Sequence, residues 1–115
     1  MLKTIDRDAL RKKLQESPGR TRLIDVRDRH EYEAGHIKGA ISIPAHELPI
    51  RAEEYFGKEV EVIVYCANFE CKASENAARM LDEKGFVNVL DYEGGLRDWK
   101  AAGFLTEGAG NAKAA

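Results

Sequence analysis

Two cysteines are the residues of this chain best suited to covalent chemistry. Cys66 directly follows an apolar run at residues 62–65, and Cys71 lies five residues further on. A segment with the composition of a helix begins near Ser74, so Cys66 falls in a loop between a strand and a helix. The unpaired N–H groups and the dipole at a helix N-terminus favour negative charge, and a cysteine in that field ionises near neutral pH. We therefore predict that Cys66 is a nucleophile.

The rest of this loop would surround the sulfur of Cys66 and contact a substrate. Its members are Ala67, Asn68, Phe69, Glu70, Lys72, Ala73 and Ser74. We expect Ser74 to be the N-cap of the following helix, with a possible hydrogen bond to the thiolate. Cys71 has three open interpretations, because it could resolve an oxidised or sulfurated Cys66 as a disulfide, receive the sulfur, or serve as a small apolar residue.

A second set of polar side chains is expected to support the loop. Asp25 stands near the end of an apolar strand, where a buried carboxylate needs hydrogen bonds or a charge partner. Arg27 could add positive potential at the same edge or pair with Glu31. We interpret His36 and His30 as structural, because a thiolate that its loop already stabilises needs no general base.

Metal binding is the alternative chemistry for the two cysteines. Structural zinc takes four ligands at close spacings such as Cys-x2-Cys. The four residues between Cys66 and Cys71, and the distance of the histidines in sequence, fit that pattern poorly. We therefore expect no metal and no other cofactor.

The composition is that of one globular domain. The 115 residues are 43% hydrophobic and 33% charged, with a net charge of -2, which gives no reason to expect nucleic acid or an anionic membrane as partner. No apolar run approaches the roughly 20 residues of a membrane span, and the first residues do not resemble a signal peptide. We expect a cytoplasmic protein, in which a cysteine pair is catalytic or redox-active more often than it is a structural disulfide.

Short apolar strands alternate with helical segments along the chain. Strands are predicted at residues 1–5, 22–26, 36–44, 62–65 and 86–90, and helices at 6–15, 28–34, within 45–56, at 74–84 and at 96–102. A left-handed stop is expected at Gly35, and a disordered tail from Thr106. The alternation predicts an α/β fold with a mainly parallel sheet covered by helices on both faces. Ligands collect at the carboxyl ends of such strands, where Asp25 and Cys66 both fall.

Two long motifs resemble the rhodanese-like family. The run LIDVRDRHEYEAGHIKGAISIP resembles the N-terminal half of a rhodanese domain, and VIVYC with the later GGLRDWKAAG resembles its C-terminal half. The likeness covers about residues 4–105, so we place one rhodanese-like domain at residues 1–105. It implies a three-layer sandwich with a central five-stranded parallel sheet. It also implies that Cys66 accepts a sulfane sulfur as a persulfide and passes it to a nucleophile.

The loop departs from the common family pattern. Many single-domain rhodaneses have Cys-x-x-Gly-x-Arg before a serine, whereas this chain reads CANFECKAS, as in a subgroup with a Cys-x4-Cys loop. The nearest loop cation is Lys72, and Glu70 adds a repelling charge. Cell-cycle dual-specificity phosphatases resemble rhodaneses in fold and carry arginine six residues after the cysteine. A lysine there cannot hold a phosphoryl group in a bidentate manner, which argues against phosphatase or arsenate-reductase chemistry.

The resemblance implies a sulfurtransferase that uses a Cys66 persulfide. The donor would be a small sulfur-containing anion or persulfide, such as thiosulfate, a polysulfide or a low-molecular-weight persulfide. The acceptor would be cyanide in an assay, or a thiol or a protein. The alternative is a non-catalytic redox, sulfide-sensing or protein-binding module that uses the Cys66 and Cys71 pair.

Overall fold

The computed structural model describes residues 2–108. Its strands are β1 (Lys3–Thr4), β2 (Thr21–Asp25), β3 (His36–Ile37), β4 (Ile41–Ser42), β5 (Glu61–Tyr65), β6 (Val89–Tyr92) and β7 (Thr106–Glu107). Its helices are α1 (Arg7–Glu16), α2 (Arg29–Ala34), α3 (Leu48–Tyr55), α4 (Ala73–Glu83) and α5 (Gly95–Ala101). Five strands form an all-parallel sheet in the order β1-β6-β5-β2-β4, while β3 and β7 pair antiparallel as a separate ribbon. The predicted α/β fold with a five-stranded parallel sheet is confirmed.

The central strand β5 has both faces buried, which is why its sequence is a continuous apolar run. Val62 and Val64 point into one core, which they share with residues of α3 and α4. Ile63 and Tyr65 point into a second core, which they share with residues of α1 and α5. Because successive side chains of a strand alternate between faces, one short run supplies both cores, and helices cover the sheet on both sides.

Two local expectations about the segment after α2 are wrong. Gly35 has a φ of 174°, which is extended backbone and not a left-handed stop. The left-handed turn lies at Gly39, with a φ of 90°, and it divides the expected strand 36–44 into β3 and β4. The two pieces therefore join different sheets.

Two expected boundaries also move. The last strand of the large sheet begins at Val89 instead of residue 86, because the N–H groups of Phe86 and Val87 bond to Leu81 and Lys58 before the chain enters the sheet. The tail is structured at Thr106–Glu107, which pairs with His36–Ile37 as β7. The remainder of the expected tail, residues 109–115, lies outside the described residues.

No helix within residues 2–108 has the length and apolar character that a membrane crossing requires. The cytoplasmic location stays a prediction.

Candidate active site

The parallel sheet brings the ends of β2 and β5 side by side. Cys66 follows β5 directly and is 4% exposed, within the core that α4 covers. Asp25 ends β2 and is paired in register with Tyr65, the residue before Cys66. The two strand ends that the sequence predicted at one edge of the sheet are therefore neighbours.

Cys66 and Cys71 form a disulfide, with their Cα atoms 6.3 Å apart. Asn68 shapes the loop between them, because its Oδ1 accepts the N–H groups of Glu70 and Cys71, each at 3.1 Å. Such a side-chain turn reverses the chain and returns Cys71 toward Cys66. In this state Cys66 is not a thiolate, so any nucleophilic chemistry requires that the disulfide is first reduced.

The other loop side chains divide between solvent and the start of α4. Phe69 is 64% exposed, and Lys72 is an exposed N-cap residue whose Nζ lies 3.7 Å from a carboxylate oxygen of Glu75. Ala73 is the first residue of α4. Ser74 is inside the helix and buried, so the prediction that it caps α4 is wrong.

Asp25 is the centre of a buried hydrogen-bond network beneath the edge of the sheet. It accepts the backbone N–H and the guanidinium of Arg27, at distances down to 2.7 Å, and the hydroxyl of Tyr65 at 2.7 Å. The Tyr65 hydroxyl in turn accepts the N–H of Ile37 at 3.0 Å. Although burial by itself lowers the pKa of Arg27, its hydrogen bonds with Asp25 and the charge of Asp25 raise it. Asp25 thus holds Arg27 and Tyr65 in place, and its support of the cysteine loop stays a prediction.

Arg27 is not a solvated surface group. Its side chain is 8% exposed, and it also donates to the carbonyl of Gly35 at 2.7 Å. Its carboxylate partner is Asp25, whereas Glu31 offers it only a backbone carbonyl at 3.4 Å. The expected pairing of Arg27 with the Glu31 side chain is therefore wrong.

The two histidines that the sequence analysis considered, His36 and His30, differ in burial. His36 is buried, its ring stacks on Tyr32 with centroids 3.7 Å apart, and its Nε2 lies 3.6 Å from Glu107. His30 is exposed, and with Asp28 and Glu31 it forms the one group of three possible metal ligands found within residues 2–108. Neither cysteine belongs to that group.

The first turn of α5 holds the cysteine loop, which the sequence analysis did not foresee. The N–H groups of Leu96 and Arg97 donate to the carbonyls of Cys66 and Ala67 at 3.0 and 2.9 Å. Gly95 has a φ of +65°, and a Cβ added there would lie 2.6 Å from the carbonyl oxygen of Cys66. The glycine pair before α5 was the available signal, because such a pair allows close backbone approach.

The same helix supplies cations beside the loop. A cavity of about 340 Å³ is lined by Ala67 and Asn68 of the loop and by Arg27, Leu96, Arg97 and Lys100. Arg97 and Lys100 are exposed, three residues apart on one face of α5, and neither forms an ion pair with any described residue. Neither residue was predicted from the sequence, because both are remote in sequence from the loop, whose nearest cation is Lys72.

The two sides of the loop differ in charge. On the side of Phe69, a cavity of about 260 Å³ has one cation and several acids in its wall, namely Arg7 with Asp6, Asp8, Glu93 and Asp98. On the other side the charged residues of the wall are all cations. A small anion is therefore favoured on the side of Arg97 and Lys100.

Asp91 is a buried carboxyl under the start of α4. It is 1% exposed, it hydrogen-bonds to Ser74, and its Oδ1 has no partner among the described residues. Burial raises its pKa to about 6. Asp91 was not among the predicted site residues, because the predicted strand ended at residue 90.

Comparison with known proteins gives a consistent result. Residues 6–102 match the model of the family described as Rhodanese-like domain. A protein named sulfurtransferase from Allochromatium vinosum is 31% identical over 103 residues, which cover 90% of this chain and 92% of that protein. The solution NMR structure of the rhodanese-like domain of the Anabaena protein Alr3790 is 34% identical, with a TM-score of 0.87 over 98% of this chain and 84% of that one.

Some relatives are longer proteins. The HTH-type transcriptional regulator Rv0324 of Mycobacterium tuberculosis is 38% identical over 92 residues, which cover 79% of this chain and 40% of the regulator. The chain thus spans about two fifths of the length of some curated relatives that it matches.

Replacing Gly95 with alanine is expected to lower the free energy of unfolding by about 2–4 kcal/mol, because the Cβ meets the backbone of the cysteine loop and the positive φ is strained. The matched control is Gly103→Ala, which has a φ of +78° but nothing within 4 Å, and should cost only about 1 kcal/mol. Urea denaturation measures the free energy of unfolding of both variants. Equal losses of stability in Gly95→Ala and Gly103→Ala would contradict the close approach of α5 to the loop.

Replacing Asp91 with asparagine is expected to stabilise the protein at pH 7. Folding raises the pKa of the Asp91 carboxyl to about 6, so the protonated carboxyl favours the folded state below about pH 4. This contribution to the free energy of unfolding is lost as the pH rises through about 6. Asp91→Asn should therefore raise the free energy of unfolding by up to about 3 kcal/mol at pH 7, and less at pH 4.

The control for this change is Asp82→Asn on the exposed surface of α4, which should alter stability by less than about 0.5 kcal/mol. Denaturant titrations at pH 4, 5.5 and 7 give the profile. A loss of stability in Asp91→Asn at pH 7 would show that the carboxylate is ionised and satisfied.

Proposed function

The chain belongs to the rhodanese-like domain family, and from that membership we propose that it is a sulfurtransferase whose nucleophile is Cys66. The observation that carries the proposal is the position of Cys66, directly after β5 and beside a cavity with a cationic wall. Parallel sheets bind ligands at this edge, and a small anionic sulfur donor fits that charge. The Allochromatium relative named sulfurtransferase supports the same activity.

The first step transfers sulfur to the enzyme. With the disulfide reduced, the Cys66 thiolate attacks the outer sulfur of thiosulfate, S–SO₃²⁻. The new bond joins the two sulfur atoms, the bond to the sulfite sulfur breaks, and SO₃²⁻ leaves with the electron pair. Cys66 then carries a persulfide, Cys–S–S⁻. Arg97 and Lys100 stabilise the donor and the departing sulfite, a task for which the loop itself provides only Lys72, near Glu75.

The second step removes the outer sulfur. Cyanide attacks it, thiocyanate leaves, and the Cys66 thiolate is regenerated, so the full cycle has ping-pong kinetics. Cys71 offers a second route by which the outer sulfur can leave the persulfide. Its thiol attacks the inner sulfur of the persulfide, HS⁻ leaves with the thiol proton, and the Cys66–Cys71 disulfide that the structure holds is formed. An external dithiol must then reduce that disulfide before the next turnover.

A second candidate function is favoured by the disulfide. A module in which oxidation links Cys66 to Cys71 could report redox state or sulfide to a partner without turnover. The match to this chain covers only 40% of the HTH-type transcriptional regulator Rv0324, so in that protein the similar region is joined to further sequence. A sensing module that acts on a partner is compatible with that arrangement. The two candidates differ in whether Cys66 carries sulfur that is discharged repeatedly.

Mass spectrometry of the reduced protein after incubation with thiosulfate tests the proposal. Cys71→Ser should gain one sulfur atom that cyanide removes, whereas Cys66→Ser should gain none. The wild-type protein should either carry the same atom or release it as sulfide while losing two hydrogen atoms. If Cys71→Ser gains no sulfur from thiosulfate or glutathione persulfide, and the wild-type protein releases no sulfide but an oxidant removes two hydrogen atoms from it, the sensing module replaces the sulfurtransferase. Equal sulfide release by the wild-type protein and Cys71→Ser, with a dithiol present, would exclude Cys71 from the second step.

The cationic wall is tested by Arg97→Gln combined with Lys100→Gln. The double variant should raise KM for thiosulfate about tenfold with little change in kcat, because two partly exposed charges contribute about 1 kcal/mol each at most. Steady-state thiocyanate formation measures both constants. The wild-type KM should also rise with salt, and that of the double variant much less.

The matched control is Arg20→Gln, which removes an exposed cation at the opposite edge of the sheet. It should leave KM and its salt dependence unchanged. A double variant with wild-type KM would show that the donor does not use these two cations.

A further inference from the structure

A third and larger cavity lies at the opposite edge of the sheet from Cys66. Its volume is about 560 Å³, and Thr21, the first residue of β2, is in its wall. Cys66 follows the last residue of the neighbouring strand β5, so the length of the parallel strands separates the two places. The chemistry proposed at Cys66 does not use this cavity.

The floor of the cavity is aromatic and tightly packed. Trp99 is 4% exposed, and its ring meets Phe104 edge to face with centroids 4.9 Å apart. The indole N–H of Trp99 donates to the carbonyl of Leu105 at 2.9 Å, so its polar atom is satisfied inside the protein. The floor therefore offers apolar surface to a ligand. Leu14 and the 68%-exposed Leu105 extend that surface toward the opening.

Two cations stand in the wall. The guanidinium carbon of Arg11 lies 4.6 Å above the ring of Phe104, which holds this charge beside the apolar floor. Lys38 is exposed, and its backbone N–H is bonded to the carbonyl of Leu105. Neither cation forms an ion pair with a described residue, and none of the residues that line the cavity is Asp or Glu.

We propose that this cavity binds a small amphipathic carboxylate, with its apolar body against Trp99, Phe104 and Leu105 and its charge near Arg11 and Lys38. The volume lies within the range of small-molecule sites, and an apolar pocket with a few placed charges is their usual chemistry. The apolar floor alone would accept any hydrophobic molecule. The two unpaired cations without an acid select one that is anionic.

Solution NMR of the whole ¹⁵N-labelled protein tests the proposal, with octanoate as probe. Trp99 is the only tryptophan of the chain, so the one indole N–H resonance reports on the floor directly. Octanoate should shift this resonance and the amides of Lys38 and Leu105 saturably, with a Kd on the order of 1 mM or lower. Naphthoate is a second carboxylate with an aromatic body, and octanol is the neutral control. Octanol should bind about tenfold more weakly than octanoate.

The variants separate charge from apolar contact. Arg11→Gln combined with Lys38→Gln should weaken octanoate binding about tenfold and leave octanol binding unchanged. The matched control is Lys12→Gln, the exposed neighbour of Arg11 outside the cavity wall, which should bind like the wild-type protein. Leu105→Asp places a carboxylate at the opening of the cavity and should abolish octanoate binding, and because Leu105 is exposed the fold should be kept.

Four results would overturn the site. One is the absence of saturable shifts at Trp99 with both carboxylates. Another is equal affinity for octanoate and octanol, and the third is wild-type octanoate binding by the double variant. Shifts confined to the cysteine loop would place the carboxylate at Arg97 and Lys100 instead, and would also overturn it. None of these outcomes bears on sulfur transfer by Cys66.

Discussion

The burial of β5 between two parallel neighbours is the constraint on which the rest of the structure depends. Each of its residues is hydrogen-bonded into the sheet, and the side chains from Val62 to Tyr65 are fully buried in the two cores. A strand so fixed must end at a defined place, and the next residue is Cys66. Because β2 runs parallel and in register, Asp25 ends beside it. The position of Cys66 is thus a consequence of the packing of the core.

Backbone contacts, more than side chains, hold the cysteine loop in place. The start of α5 donates two N–H groups to the loop carbonyls, and only a glycine at position 95 permits that approach. These N–H groups are therefore already engaged and cannot bind a substrate anion. The side chains of Arg97 and Lys100, which come from the same helix, line the cavity beside the loop and are the cations that we propose to hold the sulfur donor. One short helix therefore both anchors the loop and gives it a positive side.

The disulfide sets the conditions under which the site can act. Cys66 is nearly buried and bonded to Cys71, so the oxidised protein has no nucleophile at this position. Reduction of the disulfide leaves a free cysteine at the edge where a small anion is favoured. The same Cys66–Cys71 bond would form in both candidate functions, the sulfurtransferase with a persulfide cycle and the redox-sensing module. Which function operates would depend on the donor, the acceptor and the reductant that the protein meets.

The sequence alone determined the α/β class, the alternation of strands and helices, and the place of Cys66 and Asp25 at strand ends, because these follow from local apolar periodicity and from motifs of adjacent residues. It could not determine which cations lie beside the cysteine loop, because Arg97 and Lys100 are about thirty residues from Cys66 and only the docking of α5 brings them there. It likewise misplaced the partner of Arg27, the cap at Ser74 and the start of the last sheet strand, and it overlooked Asp91. Each of these depends on which segment packs against which, and local sequence pattern does not encode contacts between distant segments. The tertiary structure decided them, because burial and hydrogen bonding are settled only when the whole sheet and its helices are assembled.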